Sequence, residues 1–378
     1  MKPVSVLAGT ALVAAFLVTL RAAPKKPVYV GVRVCAGCHT GEKIGNQYSE
    51  WLHSKHSQAY AVLAEPEALE MTKLSGLRTP PQDSAICLGC HATGWNAEEW
   101  QKDETFRIED GVQCEGCHGP GSEYASLEVM KDKQAAMKAG LRMPDQDYCI
   151  NCHIEKGTHV AVTRRPPVDL KKGWEFLLHP LASNPTSGDI GDLAPLDPKA
   201  KGPRYTGAAE CGKCHRGRML GDQWSIWKMS AHADAWAVLA TAKGKELAAA
   251  KGIADPQHSA DCLKCHTTSR YGARLASFLP DEGVGCEGCH GPGSDYMADA
   301  VMRDPRSAMA AGLQMPTREG CVTCHQEKSF DFDAAMKKIA HPTKPPKAAQ
   351  DPRYKTRCAW PCGPMGVRST SPVKLPIP

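Results

Sequence analysis

The sequence predicts a mainly α-helical protein with extensive loops, built from two tandem units of similar pattern. A segment near the start of the chain recurs 176 positions later, as Asn46-Gln47-Tyr48-Ser49 and Asp222-Gln223-Trp224-Ser225 illustrate. No long run alternates between apolar and polar residues as a half-buried strand would. Only 6 Phe and 9 Tyr are present in 378 residues, so something besides aromatic side chains must fill the core.

The first residues are typical of an export signal. Lys2 precedes an uncharged apolar run over residues 4–20, which Arg21 and two alanines follow. The run lies at the lower edge of the length of a membrane span, so an uncleaved anchor is the alternative to a cleaved signal peptide over residues 1–23. We expect the rest of the chain in the periplasm or secreted to the extracellular space, where disulfides persist.

Cysteine is the most informative residue type, because 16 of the 18 Cys fall in eight Cys-x-x-Cys-His motifs. Two thiols at this spacing can bond to the two vinyl groups of one haem, and the adjacent His then binds the iron as proximal ligand. Zinc ribbons, thioredoxin-like sites and disulfide scaffolds give no reason for a His at one fixed offset after every pair. We therefore predict eight covalently bound haem c groups, each with its iron.

The predicted attachment cysteines are Cys35, Cys38, Cys87, Cys90, Cys114, Cys117, Cys149, Cys152, Cys211, Cys214, Cys262, Cys265, Cys286, Cys289, Cys321 and Cys324. The predicted proximal ligands are His39, His91, His118, His153, His215, His266, His290 and His325.

The motifs divide evenly between the two halves of the chain. The segment around the third motif, residues 111–122, recurs with one change as residues 283–294, and His179-Pro180 recurs as His341-Pro342. We predict a first unit over residues 30–180, a Pro/Gly-rich linker over 181–206, a second unit over 207–342 and a Pro-rich basic tail over 343–378. Runs without Pro or Gly predict helices over residues 46–64 and 124–139.

Each half resembles the tetrahaem cytochrome c-554 family. The resemblance rests on four attachment motifs, a segment with Trp, Ser and His after the first motif, the third motif Cys-Glu-x-Cys-His-Gly-Pro-Gly, and a terminal His-Pro. It implies two tandem tetrahaem c-type cytochrome units wrapped around stacked haems, and a role in electron transfer. Some members of that family leave one haem iron without a sixth ligand.

Seven His lie outside the motifs, which is too few to give all eight irons a second His. Two pairs recur in register and are predicted distal ligands, namely His56 with His232 and His179 with His341. The resemblance implies that they serve the fourth and third haems of each unit. Three further His have no counterpart in the other half, and the sequence leaves them open between ligands and structural residues: His53, His159 and His258.

At least one iron is therefore expected to be open or weakly ligated. The resemblance implies a ligating His shortly after His-Gly-Pro-Gly, where this chain has Tyr124 and Tyr296. The first haem of a half is the expected open site, and the second haem is the competing one. Tyr ligation and a thioether from Met229 are alternatives, although packing is the usual role of such residues. The two remaining thiols, Cys358 and Cys362, are expected to pair, with an intermolecular link or a metal site as alternatives.

These features predict an exported octahaem c-type cytochrome that carries electrons along closely spaced haems in respiratory or extracellular electron transfer. The alternatives are a multihaem reductase of nitric oxide or hydroxylamine at an open haem, and a subunit of an extracellular cytochrome filament. A net charge of +5 without a dense basic block excludes a dedicated nucleic-acid binder. The expected partners are redox proteins, other multihaem cytochromes or further copies of this chain, with membrane contact only through an uncleaved N-terminal segment.

Overall fold

The computed structural model describes residues 26–41, 44–179, 201–216, 220–268 and 273–341. The predicted signal segment, most of the linker, and the tail with Cys358 and Cys362 lie outside these residues.

Short helices joined by loops form both units. The first unit contains α1 (Val32–His39), α2 (Gln47–His53), α3 (Pro66–Leu74), α4 (Ala85–His91), α5 (Cys114–His118), α6 (Leu127–Met130), α7 (Lys133–Lys138), α8 (Gly157–Thr163) and α9 (Leu170–Leu177). The second contains α10 (Ala208–His215), α11 (Gln223–Lys228), α12 (Ala242–Ala249), α13 (Ala260–His266), α14 (Glu287–His290), α15 (Asp299–Met302), α16 (Pro305–Ala310), α17 (Arg318–Val322) and α18 (Phe332–Ile339).

Single 3₁₀ turns supplement these helices. They cover Ala61–Ala64, Pro81–Asp83, Glu99–Gln101, Ile108–Asp110, Gln146–Asn151, Ala237–Ala240, Pro280–Glu282 and Gly293–Asp295. In the described ranges, β pairing is limited to two isolated bridges, Tyr29 with Lys102 and Tyr205 with Arg274, which occupy equivalent places in the two units. The predicted mainly helical, loop-rich fold is therefore confirmed. None of the described helices is long and apolar enough to cross a membrane.

Six of the eight attachment motifs lie at the C-terminal end of a helix that finishes at the motif His. These helices are α1, α4, α5, α10, α13 and α14. In a helix, residues three and four apart lie on the same face, so both thiols and the imidazole project to one side. The chain turns away directly after the third motif, at Gly119 (φ 85°) and Gly291 (φ 77°), in a conformation that favours glycine.

Neither predicted long helix is continuous. Helix α2 ends at His53, Ser54 is extended, and the Ser57 hydroxyl donates to the carbonyls of Leu52 and Ser54 at 2.7 and 2.9 Å. This side chain satisfies carbonyls that a continuing helix would have bonded, so the chain turns instead. His56 therefore lies in a turn after the helix rather than on it.

The second predicted run, residues 124–139, is also interrupted. It divides into α6 and α7, and the Asp132 carboxylate caps α7 by accepting from the backbone N–H groups of Gln134 and Ala135. An Asp at this position favours a new helix start over continuation of the previous helix.

The two units pack against each other with approximate two-fold symmetry. Helix α2 of the first unit lies on the Ala237–Ala240 turn of the second, and α11 of the second lies on the equivalent turn of the first, Ala61–Ala64. The side-chain contacts are reciprocal as well. Gln82 Nε2 donates to Ser225 Oγ at 3.3 Å, and its counterpart Gln257 donates to Ser49 at 3.3 Å. We call this surface the unit interface; it has the isologous character of a symmetric dimer.

An apolar cluster drawn from both units forms part of the unit interface. Its buried members are Val32, Ala36, Tyr48 and Leu52 from the first unit and Trp236, Ala237, Leu239 and Leu263 from the second. Burial of these apolar side chains stabilises the packing of the two units through the hydrophobic effect.

Candidate haem-binding sites

Five histidines of the motifs face a second histidine from elsewhere in the chain. A metal–imidazole bond is about 2 Å long, so two rings on opposite sides of one iron have centroids roughly 6 Å apart. The observed centroid distances are 5.9 Å for His56 and His153, 6.4 Å for His91 and His159, 6.1 Å for His118 and His179, 6.1 Å for His232 and His325, and 6.0 Å for His290 and His341. These five sites therefore fit a haem iron with two axial imidazoles.

Hydrogen bonds set the tautomer of four motif histidines. Each Nδ1 lies beside a backbone carbonyl: His91 at 2.7 Å from Ala59, His266 at 2.6 Å from Ala235, His118 at 2.8 Å from Arg142, and His290 at 2.9 Å from Gln314. A carbonyl only accepts, so Nδ1 carries the proton and the Nε2 lone pair is left to bind the metal. In the first motifs, the side chains of Gln47 and Gln223 bond to His39 and His215.

Burial favours the neutral form of four histidines that belong to these pairs, namely His56, His91, His159 and His179. Desolvation, with a smaller contribution from His153, lowers the pKa of His56 to about 4. Desolvation is also the main cause of the lowered pKa of His91, His159 and His179. A neutral imidazole is the form that binds a metal, so these sites are prepared for ligation at neutral pH.

Each of the four distal histidines predicted from the repeat faces a motif histidine in the structure. His56 and His232 face the fourth motifs, and His179 and His341 face the third. His159, which the sequence left open, faces the second motif of the first unit. It lies six residues after His153, but the second half has Asp331 at the equivalent position. Recurrence between the two halves could therefore not identify His159 as a ligand.

The other two unmatched histidines pair with carboxylates. His53 Nδ1 lies 2.7 Å from Asp234 Oδ2 across the unit interface. His258 Nδ1 lies 2.5 Å from Asp255 Oδ2 within the second unit. The contact of His53 across the unit interface supports a structural role. The Asp255 carboxylate leaves the buried His258 Nε2 without a hydrogen-bond partner among the described residues, so His258 stays open between a ligand and a structural residue.

Three motif histidines face no second histidine within the ranges that the structure describes: His39, His215 and His266. Tyr124, near the first motif, donates its hydroxyl to the Gly119 carbonyl at 2.5 Å, and Tyr296 donates to Gly291 at 2.7 Å. Burial raises the pKa of both phenols well above the ordinary value. A protonated, hydrogen-bonded phenol fits the packing role and not a phenolate ligand.

The attachment thiols are grouped in the same way in both units. First-motif thiols lie beside third-motif thiols, as Cys35 and Cys114 do, and second-motif thiols lie beside fourth-motif thiols, as Cys90 and Cys152 do. The second unit repeats both contacts, between Cys211 and Cys286 and between Cys265 and Cys324. The sites therefore form a first–third pair and a second–fourth pair in each unit.

The glutamate of the third motif anchors the start of each unit. The buried Glu115 carboxylate accepts from the backbone N–H groups of Val30, Gly31 and Gly121 at 2.8, 2.8 and 2.7 Å. Glu287 does the same with Thr206, Gly207 and Gly293. Gly31 has φ 83°, and a Cβ there would lie 2.9 Å from the Phe106 backbone, so glycine is required. This Glu holds the first-motif helix next to the third motif.

Comparisons with known proteins give one family-model match and one related protein. The family model described as cytochrome c554 and c-prime matches the chain twice, over residues 34–119 and 210–291. Cytochrome c-554 of Nitrosomonas europaea is 27% identical over 194 residues, which cover 45% of this chain and 81% of that protein. No solved structure shows significant similarity to the chain. Two equivalent segments of the chain are thus similar to the cytochrome c-554 family, and this similarity supports covalently bound haem c and a role in electron transfer.

Proposed function

We propose that this chain is an exported octahaem cytochrome that relays electrons between redox proteins outside the cytoplasm. The five histidine pairs with centroids 5.9–6.4 Å apart carry the proposal. A haem iron with two axial imidazoles keeps one geometry in both oxidation states, which suits electron transfer rather than substrate binding.

The proposed roles of the residues follow from their places in the fold. The paired motif cysteines hold the haems, and the eight motif histidines supply the proximal nitrogens. His56, His159, His179, His232 and His341 supply distal nitrogens. The cytochrome c-554 of Nitrosomonas europaea supports the electron-transfer role, and the apolar run over residues 4–20 supports export.

Intact mass and paramagnetic resonance test this proposal together. The acid-extracted mature protein should carry eight haem mass increments, and its oxidised spectrum should contain five irons typical of two axial imidazoles. Fewer than eight increments would contradict the haem count. Fewer than five such irons would contradict the distal ligands.

A second candidate function is reduction of a small nitrogen compound. It is favoured by His39, His215 and His266, which face no second imidazole among the described residues. An iron with a vacant axial position binds carbon monoxide at once in the ferrous state, whereas a bis-imidazole iron must first lose a ligand. Rapid binding by the reduced protein, followed by turnover of nitric oxide or hydroxylamine, would support this candidate. Absence of rapid binding would exclude it.

A further inference from the structure

The unit interface brings attachment motifs of the two units together. Ala36 lies inside the first motif of the first unit and Leu263 inside the second motif of the second unit, and both belong to the same buried apolar cluster. Cys114, of the first unit's third motif, and Cys262 pack against that cluster as well. The first–third pair of one unit therefore adjoins the second–fourth pair of the other.

The opposite crossing is present too. Leu88, inside the second motif of the first unit, is buried with Tyr60 in a cluster that Cys87 and Ile108 adjoin. Glu109, next to Ile108, forms an ion pair with Arg216, the residue after the proximal ligand His215. The second motif of the first unit thus adjoins the first motif of the second unit, as the approximate two-fold symmetry requires.

Within each unit the two pairs are also in contact. Tyr148, which precedes Cys149 of the fourth motif, donates its hydroxyl to the Gly116 carbonyl of the third motif at 2.9 Å. In the second unit, Cys289 of the third motif lies near Cys321 of the fourth motif. The third and fourth motifs are therefore neighbours in both halves.

From these contacts we propose that the eight attachment sites form a closed loop of four pairs, with two separate crossings between the units. One crossing joins the site of His39 to that of His266, and the other joins the site of His91 to that of His215. This inference rests on the proposed relay function and extends it, because a loop offers two paths between any two haems and a linear wire offers one.

Two single-site controls and the variant that combines them distinguish a loop from a wire. The cut-loop variant replaces the second-motif thiols of both units with Ala: Cys87, Cys90, Cys262 and Cys265. One control replaces only Cys87 and Cys90, and the other replaces only Cys262 and Cys265, so the two controls have equal haem content. In a loop, the cut-loop variant separates the units, whereas each control leaves one connected run of seven sites. In a wire with a single crossing, one of the two controls separates the units.

The measurement requires one defined site at which an electron enters the first unit and one defined haem at which it is detected in the second unit. A ruthenium photosensitiser is attached to the first unit at Glu128→Cys, with Cys358→Ser and Cys362→Ser in every variant so that labelling is selective. His232→Met in the second unit provides the trap, because an iron with one Met ligand has a raised potential and its own charge-transfer absorption. Flash photolysis then follows the arrival of an electron at the trap.

The expected result is fast arrival in both controls and loss of the fast phase in the cut-loop variant. Loss of the fast phase in either control would show a single crossing and overturn the loop. A retained fast phase in the cut-loop variant would place a crossing elsewhere and overturn the assignment.

A structural measurement covers the case in which a variant fails to fold or the Met ligand does not form. A cryo-electron microscopy map of the haem-loaded full chain should show the haems of His39 and His266, and those of His91 and His215, as the nearest neighbours across the unit interface. Any other nearest pairs would overturn the loop. The proposed relay function fails separately, by a mass that shows fewer than eight haems.

Discussion

Arg33 of the first unit and Asp281 of the second form an ion pair of 2.6 Å, although 248 positions separate them in the sequence. The same guanidinium lies 3.7 Å from Glu282, and both carboxylates are more than 90% buried. Charges in such a place have lost most of their hydration, so they depend on each other for stabilisation. The stability of the unit interface should therefore be sensitive to the loss of either partner in this cluster.

Replacing Arg33 with Met should therefore destabilise the protein strongly. Two buried carboxylates would lose their cation, and removal of one partner from a buried pair costs about 3–5 kcal/mol. Denaturant unfolding of the haem-loaded protein measures the loss. Arg303→Met is the matched control, because its 2.8 Å pair with Asp299 is exposed and such a pair contributes about 1 kcal/mol or less. Equal losses of unfolding free energy in the two variants would show that the buried cluster contributes no more to stability than an exposed ion pair.

The pH dependence of stability should reflect Glu282. Burial raises its pKa to about 7; Arg33 opposes this shift and Asp281 adds to it. Between the unfolded value near 4.5 and about 7, the folded protein binds a proton that the unfolded chain does not. The free energy of unfolding should therefore fall by about 3 kcal/mol as the pH rises through this window.

The Glu282→Gln variant tests that assignment. Gln cannot titrate, so the contribution of Glu282 to the slope between pH 4.5 and 7 should disappear, whatever the absolute stability of the variant. The measurement is a series of denaturation curves over pH for both proteins. An unchanged slope would assign the pH dependence to other groups, such as the buried Asp110, whose pKa burial also raises.

The third-motif glutamate should be a strong determinant of stability. In Glu115→Gln, three backbone N–H donors lose a charged acceptor, and hydrogen bonds to charged groups contribute about 1.5–3 kcal/mol each. We expect a loss of at least about 2 kcal/mol in the free energy of unfolding. The exposed Glu128 provides the control variant, Glu128→Gln, for which no change is expected. A loss in the control of the same size would contradict the anchoring role.

The ligand role of His159 is open to a direct spectroscopic test. In His159→Ala, one iron should change from low-spin to high-spin, because the second imidazole of the His91 site is removed. His53→Ala is the matched control, since His53 also lacks a counterpart in the other half and its Nδ1 pairs with Asp234. Paramagnetic resonance of the oxidised proteins distinguishes them. A spectrum of His159→Ala identical to that of the parent would remove this assignment.

Local motifs carried most of what could be predicted from the sequence. Two thiols and a His at fixed spacing specify an attachment site by themselves, and recurrence in register is enough to single out His56, His179, His232 and His341. His159 could not be recognised in this way, because the second half has Asp331 in its place. Its role depends on where the chain after the fourth motif passes the second motif.

Features that depend on distant contacts could not be read from the sequence. The break after α2 depends on the Ser57 hydroxyl, which competes for carbonyls within a run that has helical spacing. The pairing of Arg33 with Asp281 depends on the relative placement of two whole units. Periodicity and spacing describe neighbours along the chain and carry no information about that placement.

The joining of two isologous units in one polypeptide has consequences that a homodimer could not share. Association becomes intramolecular, so it is governed by the effective concentration that the linker imposes and not by the amount of protein. Every substitution in a symmetric dimer appears twice, once in each subunit. Here a change can be confined to one half, as with the ring of His159 beside His91 and the contact of His53 with Asp234. The first unit can thus keep a second imidazole opposite the His of its second motif, while the equivalent site of the second unit can acquire a different axial ligand or none.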